Sequence, residues 1–367
     1  MSEDSTYVGM DVHRKTIAIS MLRPGSSQAV EWQIPHESSA VGRLIRKLRR
    51  ERPVRCCYEA GPLGYTLKRD FDRSDLPCIV VAPSLIPVRH GDRIKTDRRD
   101  ARKLSELLRA DLLTAVQPPT ESEEAVRDLC RCREDAQLDL ARARHRLNKF
   151  LVRRGRFFNE GYAWSQSHRT WLHKQQFEHD ADRAVFEDYL LVVEQGEARV
   201  AALDEQLEDI CQTAPYRDAV GALRCFRGIA TVTAVAIVAE LHDLRRFASA
   251  PRLMAYLGLV PSEYSSGGKR RLGAITRAGN RHVRRLLVET AWHYRHKPAV
   301  GVQLRKRRLG QPPEIIALAD KAQRRLCRRY RRMVMRKKHH NTIVVAIARE
   351  LVGYLWETLR IVAPART

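Results

Sequence analysis

TYVGMDVHRKTIAISM, residues 6–21, decides the fold of the N-terminal region. Its residues read as two strands joined by a tight turn near His13–Lys15. VEWQIPH (30–36) extends this pair into a meander. A helix then runs from about Ser39 to Arg50, with Val41, Leu44, Ile45 and Leu48 on one face. PVRCCYEA (53–60) is a short buried strand ending at Glu59, GPLGYTLKRDFDRSD (61–75) begins a second helix, and LPCIVVAP (76–83) is another strand. Strand–helix–strand–helix order requires a mixed sheet that is parallel in part. Thr96 or Asp97 can cap a further helix reaching about Leu113, and QPPT (117–120) closes this first domain, residues 1–118.

The remainder is helical, so the expected class is α/β plus α. From Glu121 to about Arg154, Val126, Leu129, Arg133, Ala136, Leu140, Ala143 and Leu147 form a narrow apolar seam. A second seam from Arg183 to Cys211 carries Val185, Leu190, Val193, Val200, Leu203, Leu207 and Ile210. Such seams predict a coiled-coil hairpin filling a central domain, 119–214, packed on itself or on another protomer. The aromatic and basic stretch between them, 157–177, reads as a linker packed on the hairpin rather than a platform for RNA bases. The last domain spans 215–367. In it, ALRCFRGIATVTAVAIVAELHDL (222–244) resembles a helix-hairpin-helix module, with Ala230 where a second glycine is usual. The tail sets a basic run, 324–340, against an amphipathic helix; that run is either a solvated face or a contact with nucleic acid.

Charge narrows the function. Across 367 residues, 67 Lys and Arg against 43 Asp and Glu leave a formal +24, which calls for a polyanionic partner. Arginine outnumbers lysine, favouring bidentate phosphate contacts. The acidic start MSEDSTYVGMDV is no secretory signal, and IATVTAVAIVA (229–239) is too short to span a membrane. The eight cysteines form no C-x-x-C pair, which argues against zinc and fits reduced thiols in a cytoplasmic protein.

Two groups of residues carry chemistry. Asp11 lies in the first strand, Glu59 ends another, and Asp97 and Asp100 share the face of a helix start. Asp70 and Asp92 are nearby acids of lesser promise. Two bare carboxylates about 4 Å apart repel by about 4 kcal/mol at an effective dielectric near 20, and hard divalent cations reverse that sign. Singly, such acids are usually caps or surface charges; the set of four, in this order, shifts the balance towards a metal-dependent phosphoryl-transfer site. The second group is YSSGGKRRLGAITRAGNRHVRR (264–285). Ser265 and Ser266 precede Gly267 and Gly268, and the cations Lys269, Arg270, Arg271, Arg277, Arg281, Arg284 and Arg285 follow. Its glycines, with Gly273 and Gly279, let backbone approach a partner closely. A hydroxyl on a glycine turn beside phosphate-binding cations is a candidate nucleophile; the plainer reading is a basic loop that only holds nucleic acid.

GMDVHRKTIAIS (9–20), YEAGP (58–62) and IKTDRRDARKLSELL (94–108) resemble the RuvC-like DEDD domain of the one-ten family of insertion-sequence transposases. Residues 253–291, from LMAYLGLVPSEY to LLVETA, resemble the family's C-terminal signature, with a serine before glycine, and 339–359 its closing helix. The resemblance implies an RNase H-like domain, a coiled coil and a serine-bearing domain. It implies Asp11, Glu59, Asp97 and Asp100 as ligands of magnesium, two ions with manganese as a substitute. It also implies a serine in SSGG forming a transient phosphoserine link to DNA, and Ser266, next to the glycine, aligns better than Ser265. The implied partners are donor and target DNA, a structured bridge RNA, and further copies of the chain as dimers pairing into a tetramer. The implied setting is the bacterial cytoplasm, on the nucleoid during activity. One departure is TRAGN (276–280), which keeps Arg277 but places Ala278 where a second cation would sit. Quartet and serine fall on different domains, so the active site is composite, within one protomer or between two. The rivals are a RuvC-type nuclease using water and a binding protein with inert carboxylates.

Overall fold

A computed structural model describes residues 5–51, 53–87, 96–266 and 269–362. The chain divides into two compact units, 1–119 and 120–367, and the long helical hairpin falls in the second.

In the first unit a six-stranded sheet has the order β3-β2-β1-β4-β5-β6. β1 (Thr6–Val12), β2 (Thr16–Leu22) and β3 (Val30–Pro35) form the antiparallel meander. β4 (Val54–Glu59) and β5 (Cys78–Val81) continue parallel to β1, and β6 (Ala115–Val116) closes the edge antiparallel. β6 is too short for a strand pattern to show in the sequence. The helices are α1 (Ser38–Arg49), α2 (Thr66–Arg73) and α3 (Asp97–Arg109). α3 stops earlier than the expected Leu113, because Asp111 turns into left-handed backbone at φ 55°.

Strand alternation sorts the side chains onto two faces. Val8, Met10, Cys56 and Tyr58 join Leu44, Leu48, Leu67 and Phe71 in the core beneath α1 and α2. Tyr7, Cys57 and Val81 face the other way and pack with Leu104 and Leu108 of α3. Gly9 belongs to that second face. A Cβ there would lie 2.2 Å from the carbonyl oxygen of Ala101 and 2.4 Å from the amide nitrogen of Ser105. Glycine therefore sets how closely α3 lies on β1.

In the second unit α4 (Glu121–Arg153) and α6 (Asp180–Cys211) run antiparallel: Arg133 meets Asp204, Arg144 meets Glu197 and Arg154 meets Asp182. Ala136, Leu140, Ala143 and Leu147 of the expected seam are buried against Val193 and Val200. Val185, by contrast, is 38% exposed, and Phe186 takes its place in the core. The aromatic stretch packs on this hairpin as expected. α5 (Gln166–His173) stacks His168 on Trp171, and Phe150 of α4 meets Phe177. A carboxylate clamp joins the three helices, since Glu197 accepts from both Arg144 and Arg169. Burial alone would raise Glu197, but these two guanidiniums hold its carboxyl below the usual range.

A larger core gathers α7 (Tyr216–Arg224), α8 (Thr231–Leu241), α9 (Ala250–Tyr256), α10 (Arg281–Ala291), α12 (Pro313–Met335) and α13 (His340–Val362), with α11 (Val302–Arg308) alongside α7. α7 and α8 form a helix–turn–helix about Gly228, whose φ is 83°. A Cβ at Gly228 would lie 2.7 Å from Cδ2 of His293, so this turn glycine closes on protein. No helix among the described residues is long and apolar enough to cross a membrane.

Candidate active site

The first constellation forms at one end of β1. Asp11 lies two residues beyond Gly9, on the face covered by α3, and Thr96 opens that helix by accepting from the amide of Arg99 at 3.4 Å. The close Gly9 contact thus brings the first turn of α3, with Asp97 and Asp100, to the end of β1. Asp11, His13 and Asp97 each offer a ligand atom, and the three lie within 4.8 Å of one another. His13 Nε2 stands 3.2 Å from Asp11 Oδ2 and 3.5 Å from Asp97 Oδ1. Burial raises the Asp11 carboxyl above its ordinary value, with Asp97 and Asp100 adding to the rise and His13 opposing it. The parallel register pairs Met10 with Tyr58, which puts Asp11 and Glu59 one step further along neighbouring strands, on the same face. Glu59 and Asp100 lie outside the tight group of three. Asp70 instead pairs with Arg73 on α2, and Asp92 lies outside the described residues.

His13 is the residue that sequence reading passed over as part of a turn. The strand ends at Val12 and His13 begins the turn, so its place two residues after Asp11 is a weak signal in the sequence. His13 is also held by its backbone: its amide donates to Thr16 O at 2.9 Å, and its carbonyl lies 2.7 Å from His36 Nδ1. Two carboxylates and an imidazole this close together fit a divalent cation, whose charge would offset both the burial of Asp11 and the repulsion among the acids.

The second constellation is a short hairpin, β7 (Pro261–Glu263) and β8 (Leu272–Ile275), with both serines on its exposed loop. Ser265 Oγ donates to Glu263 Oε1 at 2.8 Å and accepts from the amide of Arg271 at 3.3 Å. Arg270 also reaches Glu263, at 3.2 Å, and these bonds hold that carboxyl below its ordinary value. Ser266 pairs across the turn with Lys269, whose amide donates to Ser266 O at 3.1 Å. Gly267 and Gly268 lie outside the described residues.

The cations divide into two sets. Lys269, Arg270, Arg271, Arg277 and Arg281 are exposed. Arg284, expected to meet phosphate, donates to the carbonyls of Leu257 and Ala278, both at 2.8 Å. Arg285 binds Glu134 of α4 at 2.5 Å and Glu289 at 2.8 Å. At Gly273 and Gly279 the expected close approach is made to protein: Cβ atoms there would lie 2.4 Å from Ser262 Oγ and 1.8 Å from Tyr256 O. The start of α10 is fixed by two acids. Asn280 caps it, accepting from Val283 N at 3.0 Å, and donates to the buried Glu240 at 2.8 Å. Glu240 also accepts from Arg131 of α4 at 2.9 Å, and Glu134 of α4 contacts His282 at 3.0 Å.

Two family models match the chain. One is a DEDD transposase domain of the IS110 type over residues 8–154; the other, over 221–303, is described as the transposase IS116/IS110/IS902 family. The chain is 40% identical to the y4qE protein of Sinorhizobium fredii over 96% of its own length and 88% of that protein's. It is 36% identical to the transposase for insertion sequence element IS1533 of Leptospira borgpetersenii, over 90% of its length and 97% of the relative's. A transposase for insertion sequence element IS1328 of Yersinia enterocolitica is 28% identical over 54% of the chain and 59% of that protein. An acidic cluster beside a helix start in a mixed sheet agrees with the DEDD match, and the serine hairpin lies inside the second matched region. The chain therefore belongs to the IS110 family of insertion-sequence transposases, enzymes that process DNA.

Proposed function

We propose that this transposase is an RNA-guided recombinase that joins donor and target DNA through a transient phosphoserine at Ser266. The observation that carries the reading is the meeting of Asp11, His13 and Asp97 in a chain that also displays a serine hairpin ringed by exposed cations. Asp11, Asp97, Asp100 and Glu59 would hold divalent cations, magnesium or manganese, which supply charge neutralisation at the scissile phosphate. In the reaction Ser266 Oγ forms a bond to phosphorus as the bond to a deoxyribose oxygen breaks. The serine proton passes, directly or through water, to that leaving oxygen. Lys269, Arg270 and Arg271 offset the charge that develops on the phosphoryl oxygens. Strand joining is the reverse: a deoxyribose hydroxyl attacks the phosphoserine and the serine regains its proton. Quartet and serine lie in different units, so the proposal requires a composite site, and assembly as dimers pairing into a tetramer would supply one. RNA guidance rests on the family resemblance, with the formal charge of +24 supporting a polyanion load beyond the reacting strands.

Ser265 already serves as donor and acceptor inside the hairpin, which favours Ser266 as nucleophile and Ser265 as a brace for the turn. The same bond to Glu263 supports a second reading, in which the carboxylate activates Ser265. The deciding experiment incubates full-length protein with junction DNA and the element's RNA, then seeks a DNA adduct that survives denaturation. Ser266→Ala is expected to abolish the adduct and Ser265→Ala to retain it. The opposite pattern assigns Ser265, and cleavage without any adduct assigns water.

A further inference from the structure

α12 lies beyond both family-matched regions, and its two faces differ completely. Leu318, Ala319, Ala322, Leu326, Cys327 and Tyr330 are buried in the core of the second unit. On the opposite face, Arg324, Arg328, Arg332 and Arg336 form an exposed row at four-residue spacing. Lys321, Arg325 and Arg329 form a second row beside it. From Arg324 to Arg336, the C-cap, the first row spans 12 steps of the chain, about 18 Å of axis at 1.5 Å per residue.

Structure alone gives no reason for this face. Like charges four apart on a helix repel and weaken it. Among the described residues, the acid that pairs with the stripe is Glu350 of α13, which binds Arg329 at 2.5 Å and also contacts Arg325. Among the described residues no carboxylate pairs with Arg324, Arg328 or Arg332, the paired arginines of this helix being Arg325 and Arg329. A merely solvated face would intersperse signs, as α4 does with Asp139 against Arg142.

We infer that the α12 stripe is a second DNA-binding surface, which grips the phosphate backbone of duplex DNA away from the reacting strands. Duplex DNA carries about ten phosphate charges over about 18 Å of axis, comparable with the seven cations of the two rows. The exposed stripe contains no aromatic side chain on which an unpaired base could stack, which argues against single-stranded RNA. The inference does not depend on which serine reacts, or on whether either does.

The test measures binding of full-length protein to a 30-base-pair DNA of unrelated sequence and to a 30-nucleotide unstructured RNA, across a salt series. In Arg324→Gln/Arg328→Gln/Arg332→Gln, the slope of log affinity against log salt for DNA should fall by about 2.7, that is about 0.9 per lost contact. DNA affinity near 0.15 M salt should fall at least about ten-fold while RNA affinity changes less than about three-fold. Glutamine keeps helix propensity and removes repulsion, so the melting temperature should hold or rise. Glu350→Gln supplies a test of opposite sign: releasing Arg325 and Arg329 should tighten DNA binding and steepen the slope. An unchanged DNA slope in the triple variant, a larger loss for RNA than for DNA, or weaker DNA binding by folded Glu350→Gln overturns the inference.

Discussion

Asp11 carries a conflict that a single substitution can expose. Its carboxyl is raised mainly by burial, and Asp97 and Asp100 add to the effect. A carboxyl raised in the fold favours the folded state while protonated, and that advantage is lost as pH rises through the folded value. Metal-free Asp11→Asn is therefore expected to melt higher than the parent at neutral pH, with the gap closing as pH falls towards 3.8, the ordinary value. Recombination should be lost in the same variant, because a neutral amide cannot replace the charge that a divalent cation requires. Paired thermal melts and a recombination assay check both outcomes; a variant that melts lower at neutral pH removes the conflict. At this scale the sequence showed the acids and their types. It did not show that His13 stands within hydrogen-bond reach of Asp11, since a histidine beside a turn has no periodicity to betray its partner. Nor did it show that Arg284 and Arg285 bind protein, because a guanidinium looks the same whether its acceptor is phosphate or carbonyl.

The Gly9 contact is the element-scale counterpart. The methyl of Gly9→Ala would sit far inside van der Waals distance of the α3 backbone at Ala101 and Ser105. Overpacking of this kind typically costs about 1–3 kcal/mol. The same displacement would carry Asp97 away from Asp11, so divalent-ion binding should weaken together with stability. Calorimetric titration with manganese, alongside melting curves, tests this; a stable variant with parental manganese affinity would show that α3 does not need that contact. Long periodic elements were the most legible. Both hairpin helices were found from their seams, and the start of α3 from a cap at Thr96 or Asp97, of which Thr96 takes the role. The error at Val185 has a simple cause: it adjoins Phe186, and a larger aromatic turned inwards shifts the seam by one residue. β6 escaped because a two-residue strand is defined by its neighbour and not by its own pattern.

For the whole molecule, the two compact units make a sharp prediction. Asp11, His13 and Asp97 all fall within residues 1–119. That unit expressed alone is expected to fold and bind manganese with an affinity within about three-fold of the full chain, roughly 0.65 kcal/mol, while forming no DNA adduct. Electron paramagnetic resonance of bound manganese measures the first property and denaturing electrophoresis the second. Loss of ion binding in a folded fragment would mean that the second unit completes the metal site. The sheet-plus-helix plan and a charge calling for a polyanionic partner were both legible in the sequence. It could not give the joining of α10 to α4, because Glu240 and Glu134 look like ordinary surface acids until their partners are known.

That joining has a mechanical consequence. α4 is about 50 Å long at 1.5 Å per residue, and it meets the start of α10 near Arg131 and Glu134, in its first half. The remainder, out to Arg153, reaches about 30 Å further. The hairpin is thus a lever with its fulcrum beside the cap of α10. A rotation of about 5° about that point moves the tip by about 3 Å, for an arm of about 30 Å. In the other direction, a load applied at the tip would act on that fulcrum, where Asn280 ties the start of α10 to Glu240.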